Sequence, residues 1–367
     1  MRLLIAGGGT GGHLYPGLAI AKEIEVKAQE SKVFFVGSRR GREEEIVLRE
    51  GFDFSPISAK KLSEKINLAI LPAIFSYLLS LLQSLFILRR FKPDVVMGMG
   101  GYLSLPVMLV SLFLRLPTLI HEQNALPGRA NIFLSRWVRR ILISYEESER
   151  YFPQNKVRMS GNPVREIKKD KRKVREELGL DEGKKIILIF GGSQGAKKIN
   201  QATLAALPQL LEKGWQIVHI TGLNNYQEVR EKMEEAEDRR QMSEGGNYKI
   251  FPYLDNLLEV INLSSFVVCR AGATTCAELT YLGKPALLVP YPYAKGAHQE
   301  YNANILERAG AAKVCRDEEL SGALLKKVIE EVLENPSVLA KMEVASKGLG
   351  KPEAKKIILD EIYGLPG

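Results

Sequence analysis

The sequence predicts an α/β protein made of two parallel-sheet domains, and two glycine-rich turns carry this prediction. Residues 7–13 read GGGTGGH and residues 191–196 read GGSQGA. Each turn follows a short apolar run that predicts a strand, at residues 3–6 and 186–190. A glycine turn from a strand into a helix presents N–H groups and the positive end of a helix dipole, which suit phosphate. Two such turns, about half a chain apart, indicate two facing α/β domains.

Length and element order support this organisation. The chain has 367 residues, which is enough for about two domains with a core each. Strand and helix patterns alternate along it: residues 92–98 and 117–121 predict strands, and a helical run lies between them. Such alternation is typical of βαβ units and parallel sheets.

The GNPVR stretch at residues 161–165 marks the end of the first domain. Proline disfavours a helical conformation in the residue before it, so Asn162 is the expected hinge. A charge-dense stretch at residues 168–177 follows. The predicted domains are residues 1–162 and 163–343, with a C-terminal segment at 344–367.

A dinucleotide site is the alternative interpretation of the first turn, which also fits G-x-G-x-x-G. That interpretation requires an acidic residue about 20 residues further on, at the end of the second strand. Here the strand at residues 33–38 is followed by Arg39 and Arg40. An NADP site could use these arginines, but it leaves the second glycine turn and His13 unexplained.

The balance of charge favours an anionic partner. The formal net charge is +9, which suits nucleic acid, an anionic membrane face or a phosphorylated substrate. The chain contains no D-x-D pair, the carboxylates with which metal-dependent sugar-nucleotide enzymes commonly hold a divalent ion. If the ligand is a nucleotide diphosphate, backbone amides and cationic side chains must neutralise it.

Cysteine and histidine usage predicts neither disulfides nor a zinc site. Cys269, Cys276 and Cys315 share no C-x-x-C spacing, and the four histidines form no H-E-x-x-H motif. No signal peptide precedes the first strand, so we expect the protein in the cytosol with reduced thiols.

Residues 66–88 contain no charged side chain. Length alone makes this segment a transmembrane candidate, but Pro72 interrupts it. One predicted helical face is polar, and the opposite face is apolar. The polar residues are Ser76, Ser80, Gln83 and Ser84, and the apolar ones are Phe75, Leu78, Leu79, Leu82, Leu85 and Phe86. An amphipathic helix on a globular domain therefore fits better than a membrane span.

Two interpretations of this helix stay open. It is either a core helix or a helix that docks on the anionic inner face of the cytoplasmic membrane. Flanking basic residues favour docking, since each is worth about 1 kcal/mol near an anionic leaflet. These residues are Lys60, Lys61, Lys65, Arg89, Arg90 and Lys92. The membrane contacts would be Phe75, Leu79, Leu82, Phe86, Arg89 and Arg90.

The second half contains a polar cluster at residues 269–278, which read CRAGATTCAE and follow an apolar run. Ligands of α/β folds bind at such turns after the carboxyl ends of strands. Glu278, one turn into the predicted helix, is placed to accept hydrogen bonds from a ribose diol. Alternatively, it only complements the helix dipole. Residues 297–303, AHQEYNA, follow the next strand and offer amide and hydroxyl groups that suit a sugar.

Seven motifs, in this order, resemble those of the MurG family. They are GGGTGGH at residues 7–13, GGYLSLP at 100–106, HEQNALPG at 121–128, GNPVR at 161–165, GGSQGA at 191–196, CRAGATTCAE at 269–278 and HQEYNA at 298–303. Members of this family are N-acetylglucosaminyltransferases that complete the lipid-linked disaccharide of peptidoglycan. The resemblance spans nearly the whole chain.

The resemblance implies a GT-B glycosyltransferase fold, in which two Rossmann-like domains face each other across a cleft and a C-terminal helix at residues 344–367 crosses back to the first domain. The second domain would bind UDP-N-acetylglucosamine, and the first would bind undecaprenyl-diphosphate-linked muramyl pentapeptide. Transfer would invert the anomeric centre without an obligatory cofactor. The resemblance further implies a peripheral location on the cytoplasmic side of the cell membrane and no nucleic-acid partner.

The resemblance also assigns candidate site residues. The expected donor-binding residues are Thr10, Gly11, Gly12, Asn124, Arg165, Ser193, Leu254, Ala273, Thr274, Thr275, Cys276, Ala277, Glu278 and Gln299. The acceptor diphosphate would lie against Gly9, Gly12, Gly100, Gly101 and Tyr102. Where the family often has a serine before the glutamate, this chain has Ala277, so we expect no side-chain contact there.

His13 is the candidate base for a single displacement at C1 of the donor sugar. It follows the first glycine turn, and an unperturbed imidazole titrates near pH ~6.5. Alternatively, His13 only hydrogen-bonds the turn or the acceptor diphosphate.

The competing functions are a UDP-N-acetylglucosamine 2-epimerase-like enzyme and a non-catalytic sugar-nucleotide-binding subunit. The epimerase should carry extra carboxylates for proton removal at C2, and the subunit should carry only one half of the motif set.

Overall fold

The fold comprises two units, each with its own sheet. A computed structural model describes residues 1–8, 11–38, 43–59, 70–192, 194–235 and 246–365. Unit 1 is Met1–Arg165 together with Lys351–Gly367, and unit 2 is Glu166–Gly350. The boundaries expected from sequence, after residues 162 and 343, lie a few residues before these.

The second of those expected boundaries falls inside a helix and has to be moved. The helix Pro336–Leu349 runs through residue 343. Ser346 of this helix is buried, and its Oγ donates to the carbonyl oxygens of Leu279 (3.3 Å) and Lys284 (3.0 Å). These hydrogen bonds hold the helix on unit 2, so the chain returns to unit 1 only at residue 351.

The sheet of unit 1 has seven parallel strands. In chain order they are β1 (Arg2–Ala6), β2 (Lys32–Ser38), β3 (Asp53–Ile57), β4 (Val95–Gly98), β5 (Thr118–Glu122), β6 (Arg140–Ile143) and β7 (Val157–Met159). Their order across the sheet is β3-β2-β1-β4-β5-β6-β7. The central strands are almost entirely apolar because both of their faces are buried.

Helices connect these strands. They are α1 (Gly11–Lys27), α2 (Glu43–Arg49), α3 (Ile70–Phe91), α4 (Gly101–Phe113) and α5 (Arg129–Leu134). Two 3-10 helices, Glu146–Tyr151 and Gln154–Lys156, precede β7.

Unit 2 repeats this plan with six parallel strands. They are β8 (Ile186–Phe190), β9 (Gln216–Ile220), β10 (Tyr248–Phe251), β11 (Phe266–Cys269), β12 (Ala286–Leu288) and β13 (Ala312–Val314), in the order β10-β9-β8-β11-β12-β13. The described helices are α6 (Lys171–Leu178), α7 (Lys197–Leu211), α8 (Tyr226–Glu234), α9 (Leu257–Leu263), α10 (Ala273–Leu282), α11 (His298–Arg308), α12 (Gly322–Leu333) and α13 (Pro336–Leu349), with a 3-10 turn at Lys295–Ala297.

The last helix, α14 (Ala354–Tyr363), belongs to unit 1. Its residues Ile358, Leu359 and Ile362 are buried in the same apolar cluster as residues of α1. The Lys355 ammonium lies 2.7 Å from the Glu23 carboxylate on α1, and this contact helps to hold the pKa of Glu23 below its ordinary value although burial raises it. The C-terminal segment is therefore an integral part of the unit 1 core.

Each sheet changes its direction of growth between two central strands, β1 and β4 in unit 1 and β8 and β11 in unit 2. The loops that follow such a pair leave in opposite directions and open a crevice at the carboxyl ends of the strands, where α/β proteins bind ligands. The two sheets confirm the predicted α/β class with two Rossmann-like domains. A ligand site is therefore expected at the turns after these four strands.

Helix α3 buries its polar face. Ser76, Ser80 and Ser84 are buried. The Ser76 hydroxyl donates to the carbonyl oxygen of Ser58, and the hydroxyls of Ser80 and Ser84 donate to carbonyl oxygens of α3 itself. Gln83 holds the segment after β3, because its Oε1 accepts from the Ser58 N–H (2.8 Å) and its Nε2 donates to Ser58 Oγ (3.1 Å). The serine and glutamine stripe therefore faces the protein.

The opposite, apolar face of α3 is exposed. Phe75 is 70% exposed, Leu82 65% and Phe86 66%, and Leu78 and Leu79 are partly exposed. A core helix buries its apolar face, so the core-helix interpretation is wrong for these exposed side chains. Leu85, which was predicted on the same face, is partly buried against the core of unit 1. The segment Ile74–Phe91 is long and apolar enough to cross a membrane by length and composition alone.

Candidate active site

Two helices of unit 1 begin at the crossover between β1 and β4. Helix α1 starts at Gly11, after the first glycine turn, and α4 starts at Gly101, directly after β4. Gly100 and Gly101 have φ angles of 91° and 77°, a region that favours glycine. Both helix N-termini present N–H groups and positive dipole ends at the same edge of the sheet, which suits an anion.

His13 lies against the turn that opens α4. A Cβ atom on Gly100 would lie 3.5 Å from His13 Cε1, and one on Gly101 would lie 3.4 Å from His13 Nε2. The same atom on Gly101 would lie 3.4 Å from the carbonyl oxygen of Gly8. The structure thus brings the predicted residues His13, Gly100 and Gly101 together, with Gly12 and Tyr102 adjacent to them in the chain. Gly9 and Thr10 lie outside the described residues.

A chain of three hydrogen bonds runs from His13 into the core of unit 1. His13 Nδ1 lies 3.0 Å from Gln123 Oε1, and Gln123 Nε2 lies 3.0 Å from His121 Nδ1. His121 Nε2 lies 3.0 Å from the carbonyl oxygen of Gly161. Burial lowers the pKa of His121 to about 4, so its ring is neutral at neutral pH. Of the HEQN motif the sequence analysis selected only Asn124, although a buried strand that ends in a polar run was a signal for the other three.

Glu122 organises the loop that carries Asn124. Its Oε1 accepts hydrogen bonds from the backbone N–H (3.0 Å) and the Nδ2 (3.2 Å) of Asn124. Its Oε2 accepts from the N–H of Gly128 (3.0 Å) and from Asn131 Nδ2 (2.8 Å). Glu122 is 2% exposed, so its carboxylate depends on donors from the protein such as these four. Asn124 is therefore held rigidly at the carboxyl end of β5.

Sequence analysis also missed a buried carboxylate at the end of β2. Glu43 begins α2, and its Oε2 accepts from the Ser38 N–H at 2.8 Å. A Cβ atom on Gly8 or Gly37 would collide with this carboxylate. A dinucleotide enzyme would use an acid here to hold ribose, but Glu43 is buried and bonded to the backbone. Its carboxylate packs against Gly8 of the first glycine turn.

Arg165 is the last residue of unit 1 before the chain enters unit 2. Its guanidinium lies 4.3 Å from the centre of the Tyr15 ring on α1, in a cation–π contact. A Cβ atom on Gly11 would lie 3.2 Å from the same ring. Arg165 and Gly11, two of the predicted donor residues, are thus both placed against Tyr15.

In unit 2, the second glycine turn is fixed by a buried polar network. A side chain on Gly195, where φ is 82°, would collide with the carbonyl oxygen of Thr221. Asn200 Nδ2 donates to that same oxygen at 3.0 Å, and Asn200 Oδ1 lies 3.0 Å from His219 Nε2. Burial lowers the pKa of His219 to about 3. Ser193, a predicted donor residue within this turn, lies outside the described residues.

Helix α10 begins at Ala273, directly after Gly272 and the end of β11, so the predicted donor residues of its first turn present N–H groups to the crossover. Burial raises the pKa of the Cys276 thiol to about 12, which leaves it an uncharged core group. Glu278 is 4% exposed. Burial raises the pKa of the Cys269 thiol, and the nearby thiol of Cys276 and the charge of Glu278 raise it further. Only a small part of Glu278, near the middle of α10, is therefore accessible.

The loop after β12 is held by Gln299 and by Arg270, which sequence analysis had not selected. Gln299 Oε1 accepts from the Tyr291 N–H at 2.9 Å, which leaves its amide nitrogen to donate. Arg270 Nη1 donates to the carbonyl oxygens of Val289 and Pro290, each at 3.1 Å, and lies 2.6 Å from Asp317 Oδ1. An arginine inside a motif of small residues was the available signal.

Leu254 follows β10, and its side chain packs on the apolar cluster that contains Cys269 and Cys276. This packing turns the side chain inward.

Within the described ranges, no group of three or more His, Cys, Asp or Glu side chains lies close enough to hold a metal ion. Chemically, unit 1 offers a histidine beside two helix N-termini, and unit 2 offers two N–H-rich turns with an adjacent carboxylate.

Comparison with known proteins identifies the family. Residues 3–143 match the glycosyltransferase family 28 N-terminal domain, and residues 186–358 match the glycosyltransferase family 28 C-terminal domain. The chain is 43% identical over 368 residues to the UDP-N-acetylglucosamine--N-acetylmuramyl-(pentapeptide) pyrophosphoryl-undecaprenol N-acetylglucosamine transferase of Halothermothrix orenii, covering 99% of this chain and 98% of that protein.

Solved structures agree. The crystal structure of Acinetobacter baumannii MurG superposes with a TM-score of 0.73 at 26% identity, covering 99% of each chain. The UDP-GlcNAc 2-epimerase of Neisseria meningitidis bound to UDP-GlcNAc has a TM-score of 0.67, covering 99% of this chain and 100% of that one. At 16% identity that second likeness shows the fold alone. The chain therefore belongs to the MurG family, within glycosyltransferase family 28.

Proposed function

We propose that this protein transfers N-acetylglucosamine from UDP-N-acetylglucosamine to the 4-hydroxyl of undecaprenyl-diphosphate-linked N-acetylmuramoyl pentapeptide, with inversion at C1. The observation that carries the proposal is the 43% identity, over nearly the full length, to a relative named for this transfer. The UDP-N-acetylglucosamine 2-epimerase is a relative in fold only.

The donor is assigned mainly to unit 2. The N–H groups at the start of α10 and in the second glycine turn would meet the UDP diphosphate. Glu278 would accept from the ribose hydroxyls, and the amide nitrogen of Gln299 would donate to the sugar. The backbone of Leu254, whose side chain is turned inward, would pair with uracil. Further donor contacts are assigned to Gly11, Gly12, Asn124 and Arg165 of unit 1.

The acceptor is assigned to unit 1. The N-termini of α1 and α4 would hold its diphosphate, and His13 beside them would remove the proton from the muramyl 4-hydroxyl as the oxygen attacks C1. A positioned base contributes about 10² to 10⁴ in rate. The negative charge that develops on the departing UDP would be met by helix N-terminal amides, and one preorganised donor is worth about 3 to 4 kcal/mol. This mechanism assigns no step to a cofactor.

The membrane contact is assigned to the apolar face of α3. Phe75, Leu82 and Phe86 are mostly exposed on this face, and the exposed Arg89 and Arg90 lie in the last turn of the same helix. Apolar insertion together with basic residues gives reversible docking on an anionic leaflet. Docking, and not spanning, is proposed because the buried serine stripe keeps the other face of the helix on unit 1. The protein would thus be peripheral, on the cytoplasmic side; Lys60, Lys61 and Lys65 lie outside the described residues.

The test is turnover of UDP-N-acetylglucosamine with and without a lipid-linked muramyl pentapeptide acceptor. We expect UDP release and β-1,4-linked product only when the acceptor is present. Formation of the 2-epimer of the donor without acceptor would establish the epimerase activity instead. Donor binding without any turnover would indicate a non-catalytic sugar-nucleotide-binding protein.

A further inference from the structure

The hydrogen-bond chain from His13 to Gly161 has ends whose chemistry is fixed. The carbonyl oxygen of Gly161 can only accept, so His121 Nε2, 3.0 Å away, must carry a proton and donate it. The ring of His121 is fully buried and neutral, so its other nitrogen, Nδ1, carries no proton and must accept. The acceptor at Nδ1 then requires a donor from Gln123.

The orientation of the Gln123 amide is fixed twice. Its Nε2 lies 3.0 Å from His121 Nδ1 and 3.1 Å from the carbonyl oxygen of His121, and both are acceptors. Hydrogen-bond partners decide which end of a glutamine amide is the nitrogen, and here both partners require it to face His121. The oxygen, Oε1, must therefore be the atom that lies 3.0 Å from His13 Nδ1.

An amide oxygen can only accept, so His13 must donate to it from a protonated Nδ1. We propose that Gln123 is a positioning residue that holds the His13 proton on Nδ1 and thereby makes Nε2 the nitrogen that accepts the proton of the substrate. Nε2 is also the ring nitrogen nearest the Gly101 turn, where the acceptor diphosphate is assigned. When His13 becomes an imidazolium, its Nδ1–H still donates to Gln123, so proton uptake breaks no hydrogen bond of the relay.

This inference rests on the proposed function only for its catalytic consequence. A wrong histidine tautomer costs about 10⁴ in turnover in a serine protease, where a carboxylate sets the ring. Here the neutral amide of Gln123 fixes the tautomer of His13, and the buried ring of His121 in turn fixes the orientation of that amide. The residues involved are separated in sequence but are joined within unit 1.

The tautomers can be read directly in the full-length protein labelled with nitrogen-15 histidine. Long-range proton–nitrogen correlation spectra separate protonated from unprotonated ring nitrogens, and the chain has four histidines to assign by single substitutions. At about pH 8, where an unperturbed imidazole is neutral, we expect the His13 proton on Nδ1. We expect the His121 and His219 protons on Nε2, because His219 Nε2 faces Asn200 Oδ1.

Substitutions of Gln123 test the consequence for turnover. Gln123→Met removes the acceptor for His13, so kcat should fall about ten- to a hundredfold, the value of one charge-assisted hydrogen bond, with little change in the donor KM. Gln123→Glu keeps an acceptor for His13 and should retain more kcat than Gln123→Met. A purely structural role predicts the opposite order, because a buried carboxylate costs more stability than a methionine.

Gln216→Met is the matched control. Gln216 is also a buried glutamine, and its Oε1 accepts from the Asp181 N–H at 2.9 Å in unit 2. This variant should lose stability and keep kcat. A His13 proton on Nε2 in the wild type overturns the inference, and so does a lower kcat in Gln123→Glu than in Gln123→Met. Near-native turnover of His13→Gln would instead overturn His13 as the base, and with it only the catalytic part of the inference, since the spectra report the tautomer independently.

Discussion

The exposed apolar face of α3 is the proposed membrane-docking surface. Replacing Leu82 and Phe86 with serine should weaken membrane docking without loss of folding stability. Full burial of a leucine or phenylalanine is worth about 1.5 to 3 kcal/mol, and these side chains are 65% and 66% exposed. Their insertion into lipid would therefore contribute about 2 to 4 kcal/mol together. Since 1.4 kcal/mol is about tenfold, vesicle partitioning should fall roughly thirtyfold to a thousandfold.

The assay is co-sedimentation with anionic and neutral vesicles across a salt series. Wild-type protein should bind anionic vesicles, ignore neutral ones, and dissociate above about 0.2 M salt, where the Debye length is below about 8 Å. The double variant should fail to sediment while its free energy of unfolding, from denaturant titration, stays within about 0.5 kcal/mol of the wild-type value, as for other surface substitutions.

Leu88→Ser is the matched control, because Leu88 lies on the same helix but is 2% exposed. It should cost about 2 to 5 kcal/mol of stability, as core truncations do, and leave docking of the folded protein intact. If the Leu82 and Phe86 variant unfolds like a core truncation, or if it sediments like wild type, then α3 is not the docking face.

Four further predictions follow from the two sites. Glu122→Ala should cost about 3 to 5 kcal/mol, since each buried donor left without an acceptor costs about 1 to 3 kcal/mol, and Glu122→Gln should cost less in the same denaturant titration. Glu278→Ala should raise the donor KM about tenfold or more, with little effect on the acceptor; an unchanged donor KM removes Glu278 from the site. His13→Ala should lower kcat by about 10² or more with near-normal donor binding by calorimetry; near-native turnover rejects it as the base. Finally, the pKa of His121 is about 4 in the fold against 6.5 ordinarily, so the unfolded chain takes up this proton first as pH falls. At 1.36 kcal/mol per pKa unit, this histidine should lower the free energy of unfolding by about 3 kcal/mol between about pH 6.5 and 4; a flat stability profile over that window would contradict its burial as a neutral ring.

Local patterns in the sequence were sufficient for the fold class. Buried parallel strands are short apolar runs, as in residues 186–190, and glycine turns follow them wherever a helix must begin close to the strand. The same local character made the motifs legible, because the residues of one turn lie next to one another in the chain. The boundary expected after residue 343 failed for the opposite reason. The helix Pro336–Leu349 has no local break there, and only the hydrogen bonds of Ser346 to a distant part of unit 2 assign it.

The sequence predicted His13, the glycine turns and Asn124 as site residues, but it did not predict the side chains that hold them. His13 is bonded to Gln123, which lies 110 residues away in sequence, and Asn124 is bonded to Glu122. A helix or strand pattern cannot connect Gln123 or Glu122 to a catalytic role. Arg270 lies in one of the motifs, yet its role in holding the loop after β12 depends on carbonyl oxygens of Val289 and Pro290 that only the folded loop presents.

For helix α3, the sequence alone could not determine which face packs against the protein. A period of 3.6 residues revealed two faces, one with serines and one with phenylalanines and leucines, but periodicity alone does not say which face meets the protein. The sequence thus determined that the helix is amphipathic. Only the tertiary structure decided that its polar face is the buried one, because Ser76 and Gln83 bond to Ser58 after β3, whereas Phe75, Leu82 and Phe86 stay mostly exposed.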